Sequence, residues 1–166
     1  PRENPMFRIR SVTPADLDIL TDIEAQSFPE AEKATRESFE KRLAVFSDHF
    51  LILEDAGRPV GLIDGMVIDQ RTITDDLYED ATKHNPKGRY QSVFGLAVIP
   101  EYRRRGCGTM LLRAFVEYAR GQGREGVILT CKEHLIDFYG ASGFRKVGLS
   151  SSVHGGARWY DMELIF

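Results

Sequence analysis

The chain has 166 residues, the length of one compact domain, read here as a single unit over 1–166. Its hydrophobic share of 42% suffices for a core, and its net charge of −3, from 22 basic and 25 acidic residues, argues against a general nucleic-acid binder. No apolar run approaches the ~18 residues of a membrane span, and no signal-peptide pattern opens the chain. Cys107 and Cys131 make no disulfide framework, and His49, His84, His134 and His154 lack metal-ligand spacing. A reduced, cytoplasmic protein with no metal, nucleic-acid or membrane partner is therefore expected.

In chain order, "FRIRSV" (7–12) alternates apolar and polar residues and predicts a strand. "TPADLDILTDIEAQSF" predicts a helix, with Thr13 as cap, Pro14 at the first position and Asp16 three residues after the cap. Its apolar stripe is Leu17, Leu20, Ile23 and Phe28. Thr35 caps a second predicted helix, "TRESFEKRLAVF". Two strands, 49–55 and 60–69, form an expected hairpin around "AGRP". The segment 70–91 is polar and reads as a long irregular loop, of the kind that is either functional or merely solvated. "SVFGLAVIP" (92–100) is apolar on both faces and reads as a central strand. A helix from Gly108 to about Arg120 follows, with Leu111, Leu112, Phe115, Val116 and Ala119 on one side, and "GQG" ends it. A buried strand (126–131), a short helix stopped at Gly143 and two more strands complete about seven strands and four helices. Strand–helix–strand over 92–131 predicts a parallel crossover.

"RRRGCG" thus lies between a central strand and a helix start. The first N–H groups of a helix lack internal partners, and that end of its dipole is positive. Glycines let a ligand approach those amides, so the turn reads as an anion site suited to phosphate. No P-loop string is present, and the third glycine of the dinucleotide fingerprint is replaced by Leu111.

The form Arg103-x-x-Gly106-x-Gly108 resembles the acyl-CoA signature of the GNAT superfamily of N-acetyltransferases. "LAVIPEYRRRGCG" and "DFYGASGFRKVG" are similar to that family's two conserved-pattern segments, and the resemblance spans essentially the whole chain. Stretches 72–98 and 127–148 look closest to the arylalkylamine (serotonin-type) members. The resemblance implies an α/β GNAT fold: a mixed, mostly antiparallel sheet with a parallel pair splayed at the CoA cleft, and helices on both faces. It implies acetyl-CoA as co-substrate, a small primary amine (arylalkylamine or polyamine) as acceptor, and a monomer or homodimer. A peptide or protein acetyltransferase, or a CoA-binding domain without catalysis, are the alternatives.

Site residues follow from the same resemblance. Leu96, Ala97 and Val98 would flank the pantetheine arm, with backbone hydrogen bonds from Leu96 and Val98. Arg104, Arg105, Gly106, Cys107, Gly108 and Thr109 would offer amides to the pyrophosphate, with Arg103 bracing the loop. Phe138 and Tyr139 come from the second segment, and Tyr139 is the expected acid for the departing sulfur. The serotonin-type enzymes carry two histidines where this chain has Ser92 and Phe94, so their relay is in doubt. Glu24 and Glu30 are the candidate bases, with Ser92 holding a relay water and His84 in the nearby loop. Phe28, Tyr90 and Phe94 are expected to line an acceptor pocket, with Phe46 a core residue or a further wall. The acidic run "DDLYED" (75–80) either steers a cationic amine or is a solvated turn. Cys131 is read as a buried small apolar residue rather than an acyl-carrying nucleophile.

Overall fold

The computed structural model describes residues 5–166. The hairpin expected at 49–69 forms from β2 (Phe50–Asp55) and β3 (Arg58–Asp64). Ala56 and Gly57 both take positive φ there, as a tight two-residue turn demands. β1 (Phe7–Ser11) pairs antiparallel with β2, and β3 pairs antiparallel with β6 (Gly95–Val98), giving a four-stranded sheet in the order β1-β2-β3-β6.

A second sheet has the order β4-β5-β7-β9-β8. Its strands are β4 (Val67–Ile68), β5 (Tyr90–Val93), β7 (Gly126–Cys131), β8 (Arg145–Leu149) and β9 (Tyr160–Ile165). Only β5 and β7 pair in parallel, from Tyr90↔Gly126 to Val93↔Leu129.

Nine strands appear among the described residues where about seven were expected, because two expected strands are broken. The 60–69 strand is interrupted after Asp64, and the 92–100 strand at Phe94. At the second break, Phe94 N–H donates to the Asp64 carbonyl (2.7 Å) while Gly95 is paired with the same residue. Two residues facing one is a bulge, which bends its strand. β6 therefore leaves β7 and joins the first sheet, and a V-shaped gap opens between the two.

The helices fill both sides. α1 (Leu17–Ser27) follows a 3-10 turn at 14–16, where Asp16 accepts the Thr13 N–H (3.0 Å) and is held by Arg10 (2.9 Å). α2 (Arg36–Phe46) is capped by Thr35, which accepts from Ser38 N–H, and it buries Phe39, Arg42, Leu43 and Phe46 on one face. α4 (Cys107–Gly121) crosses from β6 to β7 and buries Leu111, Leu112, Phe115, Val116 and Ala119, as its periodicity predicted. α5 (Ile136–Gly140) is short, and the chain turns at Gly143 with φ of 96°.

The long loop at 70–91 is more ordered than expected. It contains α3 (Asp75–Glu79) and a 3-10 turn at 81–83, and it buries Ile73, Leu77 and Ala81. Those three residues recur at i, i+4 and i+8, the spacing of one helix face, a signal masked by the polar residues around them and by the shortness of α3. Among the described residues no helix is long and apolar enough to cross a membrane.

Candidate active site

The gap between β6 and β7 has a backbone lining fixed by register. Ile99 N–H donates to Val60 on β3 (2.9 Å), so alternation along β6 sends Ala97 the same way. The N–H and C=O groups of Leu96 and Val98 then face away from β3, into the gap. At its mouth Gly106 begins α4 with φ of 77°, and nothing lies within 4 Å of where its Cβ would stand. The amides of Cys107, Gly108 and Thr109 belong to the first turn, and Met110 is the first to donate back, to Gly106 (3.0 Å). The Phe138 ring lies over Gly108, with Cζ 3.3 Å from a built Cβ.

The three arginines do different things. Arg103 donates to the Ser27 carbonyl (3.2 Å) and ties the turn to the end of α1. Arg104 is exposed with φ of 62°. Arg105 stacks on Tyr102 at 4.6 Å and keeps a buried, unpartnered Nη1. A helix start led by the open Gly106, with an orphan guanidinium donor beside it, suits an anion. Gly108→Glu should therefore weaken acetyl-CoA binding about 100-fold by adding a carboxylate there. The fold should survive, because an acidic residue suits the first helical turn. Calorimetric titration against an unchanged circular dichroism spectrum checks this.

On the inner side of the gap lies a cavity of about 480 Å³. Glu24, Phe28, Arg42, Asp64, Tyr78, Phe94, Thr130, Cys131, Tyr139 and Trp159 are among its lining residues. Glu24 is buried because it continues the core face of α1, four residues after Leu20 and beside Ile23. Its Oε2 accepts the Ala34 N–H (2.8 Å), whereas Oε1 has no partner. Burial, reinforced by the negative charge of Asp64, raises its pKa to about 7, against the opposing pull of the Ala34 N–H, Arg42 and Lys33.

Tyr139 is buried between Phe138 and Phe144, both edge-on. Its hydroxyl has no hydrogen-bond partner among the described residues. Burial, with Cys131 and Tyr78 nearby, pushes its pKa well above the ordinary phenol value. Burial also raises Cys131 to about 11, so it is a thiol at neutral pH, with Sγ 3.5 Å from Met162 Sδ. It is thus the buried cysteine expected.

Over the cavity four segments are clasped together, around Glu32, Asp75, Lys132 and the 152–159 loop. Glu32 pairs with Lys132 (2.7 Å), and its carbonyl accepts from His154 Nε2 (2.9 Å). Asp75 accepts from Ser152 Oγ (2.5 Å) and from Val153 N–H (3.1 Å). Trp159 Nε1 donates to the His154 carbonyl (2.9 Å). The acidic run at 75–80 is thus a helical turn whose carboxylates are partly engaged, Asp76 holding Lys83 (2.6 Å).

Several expected site residues lie elsewhere. Glu30 is exposed, paired with Lys33 (2.8 Å), and is not in the cavity wall. Ser92 is fully buried and spends its hydroxyl on the Met66 carbonyl (2.7 Å). Tyr90, on the same face of β5 as Ser92, does not line the cavity either; its ring lies under the Arg89 guanidinium at 5.5 Å. Phe46 is a core residue stacked on Phe50. His84 accepts the Val67 N–H (2.9 Å), with its pKa lowered to about 4 by burial and the neighbouring His49. The sequence reading missed Arg42, Asp64, Tyr78 and the clasp residues. A signal existed for two of them: Arg42 falls on the apolar face of its helix, three after Phe39, and Asp64 interrupts the apolar strand "GLIDGMVI".

A sheet split at a bulge, with a glycine-led helix start at the mouth of the gap, defines a class of acyl-thioester-binding acetyltransferase folds, the one the sequence resembles. A model of the acetyltransferase (GNAT) family matches residues 17–144, and the chain belongs to that family of N-acetyltransferases. It is 33% identical over 144 residues to glucosamine 6-phosphate N-acetyltransferase 1 of Oryza sativa subsp. japonica, covering 83% of this chain and 81% of the rice protein. It is 27% identical over 171 residues to serotonin N-acetyltransferase of Mesocricetus auratus, covering 96% and 77%. Among solved structures, the GphF GNAT-like decarboxylase in complex with isobutyryl-CoA superposes with a TM-score of 0.81 at 23% identity, covering 95% of this chain and 98% of that one.

Proposed function

We propose that this acetyltransferase uses acetyl-CoA and a small primary amine, with Glu24 as base and Tyr139 as donor to the leaving sulfur. The observation that carries the reading is the roofed cavity holding a buried, unpartnered carboxylate oxygen with a pKa of about 7. A polypeptide acceptor would have to open the clasp of Glu32, Asp75 and His154, so the small-molecule reading is preferred to the peptide one.

An alkylammonium has a pKa of about 10.4 and must lose a proton before it attacks. Glu24 Oε1 accepts that proton first; the neutral amine then forms the N–C bond as the C–S bond breaks, and the nitrogen's second proton replaces the one that reaches the sulfur, so CoA leaves as its thiol. The thiolate, with a pKa of about 8.5 by analogy with cysteine, receives a proton. Tyr139 holds its proton across the whole working range, so it is a standing donor to the sulfur. The same burial makes it a weak acid, so hydrogen bonding to the developing charge is its main contribution. Leu96 and Val98 offer gap-facing backbone groups to the pantetheine amides, and the α4 amides with Arg105 suit the pyrophosphate. Cys131, kept protonated, takes no acyl group, which favours direct transfer from thioester to amine.

The test is CoA-thiol release from acetyl-CoA with tryptamine, phenethylamine, spermidine and a lysine peptide. Turnover of small amines but not the peptide is expected. Peptide turnover alone would overturn the acceptor reading. Tyr139→Phe should lower kcat by about 100-fold with little change in the KM for acetyl-CoA. A full rate in that variant would remove Tyr139 from the chemistry.

A further inference from the structure

Two residues that line the cavity each keep a buried polar atom with no partner among the described residues: Glu24 its Oε1 and Arg42 its Nε. Both side chains are more than nine-tenths buried, at 4% and 7% exposure. The two are opposite in kind, since the carboxylate oxygen accepts and the guanidinium N–H donates. An unmade hydrogen bond in the interior is costly to the fold, so an orphan of each kind in one cavity points to an occupant that meets both.

Asp64 links the pair. Its Oδ2 accepts from Arg42 Nη1 at 3.0 Å. Its Oδ1 and Glu24 Oε1 converge on Gly95, at 3.2 and 3.9 Å from where a Cβ would stand. Arg42 is not free to seek another partner. One end is bonded to Asp64, and its guanidinium carbon lies 4.9 Å from the Phe94 ring centre and 5.8 Å from that of Phe39.

We propose that the acceptor amine also carries an uncharged hydrogen-bond-accepting oxygen, its nitrogen meeting Glu24 and its oxygen meeting Arg42 Nε. The proposal rests on reading this cavity as the acceptor site. An uncharged oxygen is required because the wall already holds Glu24, Glu32, Asp64, Asp75 and Glu79 against Lys33 and Arg42. A carboxylate on the ligand would add a negative charge beside Asp64 and Glu24. A plain hydrocarbon amine would leave Arg42 Nε dry and unpaired. Sites with a buried polar group reject analogues that cannot pair it. Amino alcohols and amino amides are the class that fits.

The experiment compares matched acceptors with the intact enzyme: phenethylamine against its β-hydroxy analogue, and phenylalanine against phenylalaninol and phenylalaninamide. The expected result is a kcat/KM about 10- to 100-fold higher for the hydroxylated or amide partner of each pair. Arg42→Lys keeps a cation beside Asp64 but lacks the guanidinium Nε–H, and the preference should fall below about threefold. Equal kcat/KM within the pairs for the native enzyme overturns the proposal while leaving the small-amine reading intact, and it does so whether or not the variant folds. A preference undiminished in folded Arg42→Lys overturns it as well. If no small amine is acetylated although acetyl-CoA raises the Tm, both readings fall together.

Discussion

Glu24→Gln is expected to lose about 1,000-fold in kcat and to become more stable at the same time. The rate loss follows from removing the proposed base, the one cavity-wall carboxylate that among the described residues keeps a buried oxygen with no partner. The gain in stability follows from linkage. Glu24 has its pKa raised from 4.5 to about 7 in the folded protein. Its contribution is therefore fully present below the unfolded value and is lost as pH rises through the folded one. Above neutrality the native enzyme folds around a buried carboxylate, and the neutral amide avoids that cost. The variant should gain about 1–3 kcal/mol near pH 8 and nothing near pH 4, as urea unfolding at the two pH values will show. The native kcat should rise with pH through about 7, following the carboxylate, and the residual rate of the variant should lose that limb. A variant with native kcat, or one destabilised equally at both pH values, would place Glu24 in the scaffold alone.

What the sequence showed of this arrangement depended on how local each feature is. α1, α2 and α4 carry their periods and caps within a dozen residues, and they appear where expected. The glycine-led start of α4 is equally local, so the open helix N-terminus was legible from one turn. The cavity is different. Its wall draws on α1, α2, β3, α3, β6, β7, α5 and the loop before β9, and no single stretch records that Glu24 and Asp64 converge on Gly95 or that Arg42 holds Asp64. The choice between Glu24 and Glu30 shows the same limit. Both lie near the end of the first helix, and only packing distinguishes them: one continues the face of Leu20 and Ile23, the other stands in solvent beside Lys33. Ser92 and Phe94 are two residues apart on a strand read as continuous, which implies one shared face. The bulge at Phe94 breaks that parity, leaving Ser92 on the Met66 carbonyl and Phe94 in the cavity.

Gly65→Ala is the substitution expected to damage the fold most, by about 4 kcal/mol or more. A Cβ at this position would stand 1.9 Å from the Ser92 carbonyl oxygen and 2.6 Å from its carbon, both backbone atoms. No rotamer relieves such a contact; one strand must move. The strands around it are pinned. Gly65 N–H reaches the His49 carbonyl (3.3 Å), Ser92 N–H reaches Met66 (2.9 Å), and Gln91 Nε2 donates to the Gly65 carbonyl (2.9 Å). Gln91 in turn is held by His49 Nδ1 at 2.8 Å. Gly65 thus sits where β3 gives way to β4, opposite the point where β5 gives way to β6. Pushing the two breaks apart moves Phe94 and Gly95, and with them the shared edge of the gap between the sheets and of the cavity. The expected signature is a fall in Tm together with a loss of acetyl-CoA affinity in the fraction that remains folded. Loss of stability with native affinity would mean that the split of the sheet is set by the bulge at Phe94 alone, without the close backbone approach that this glycine permits.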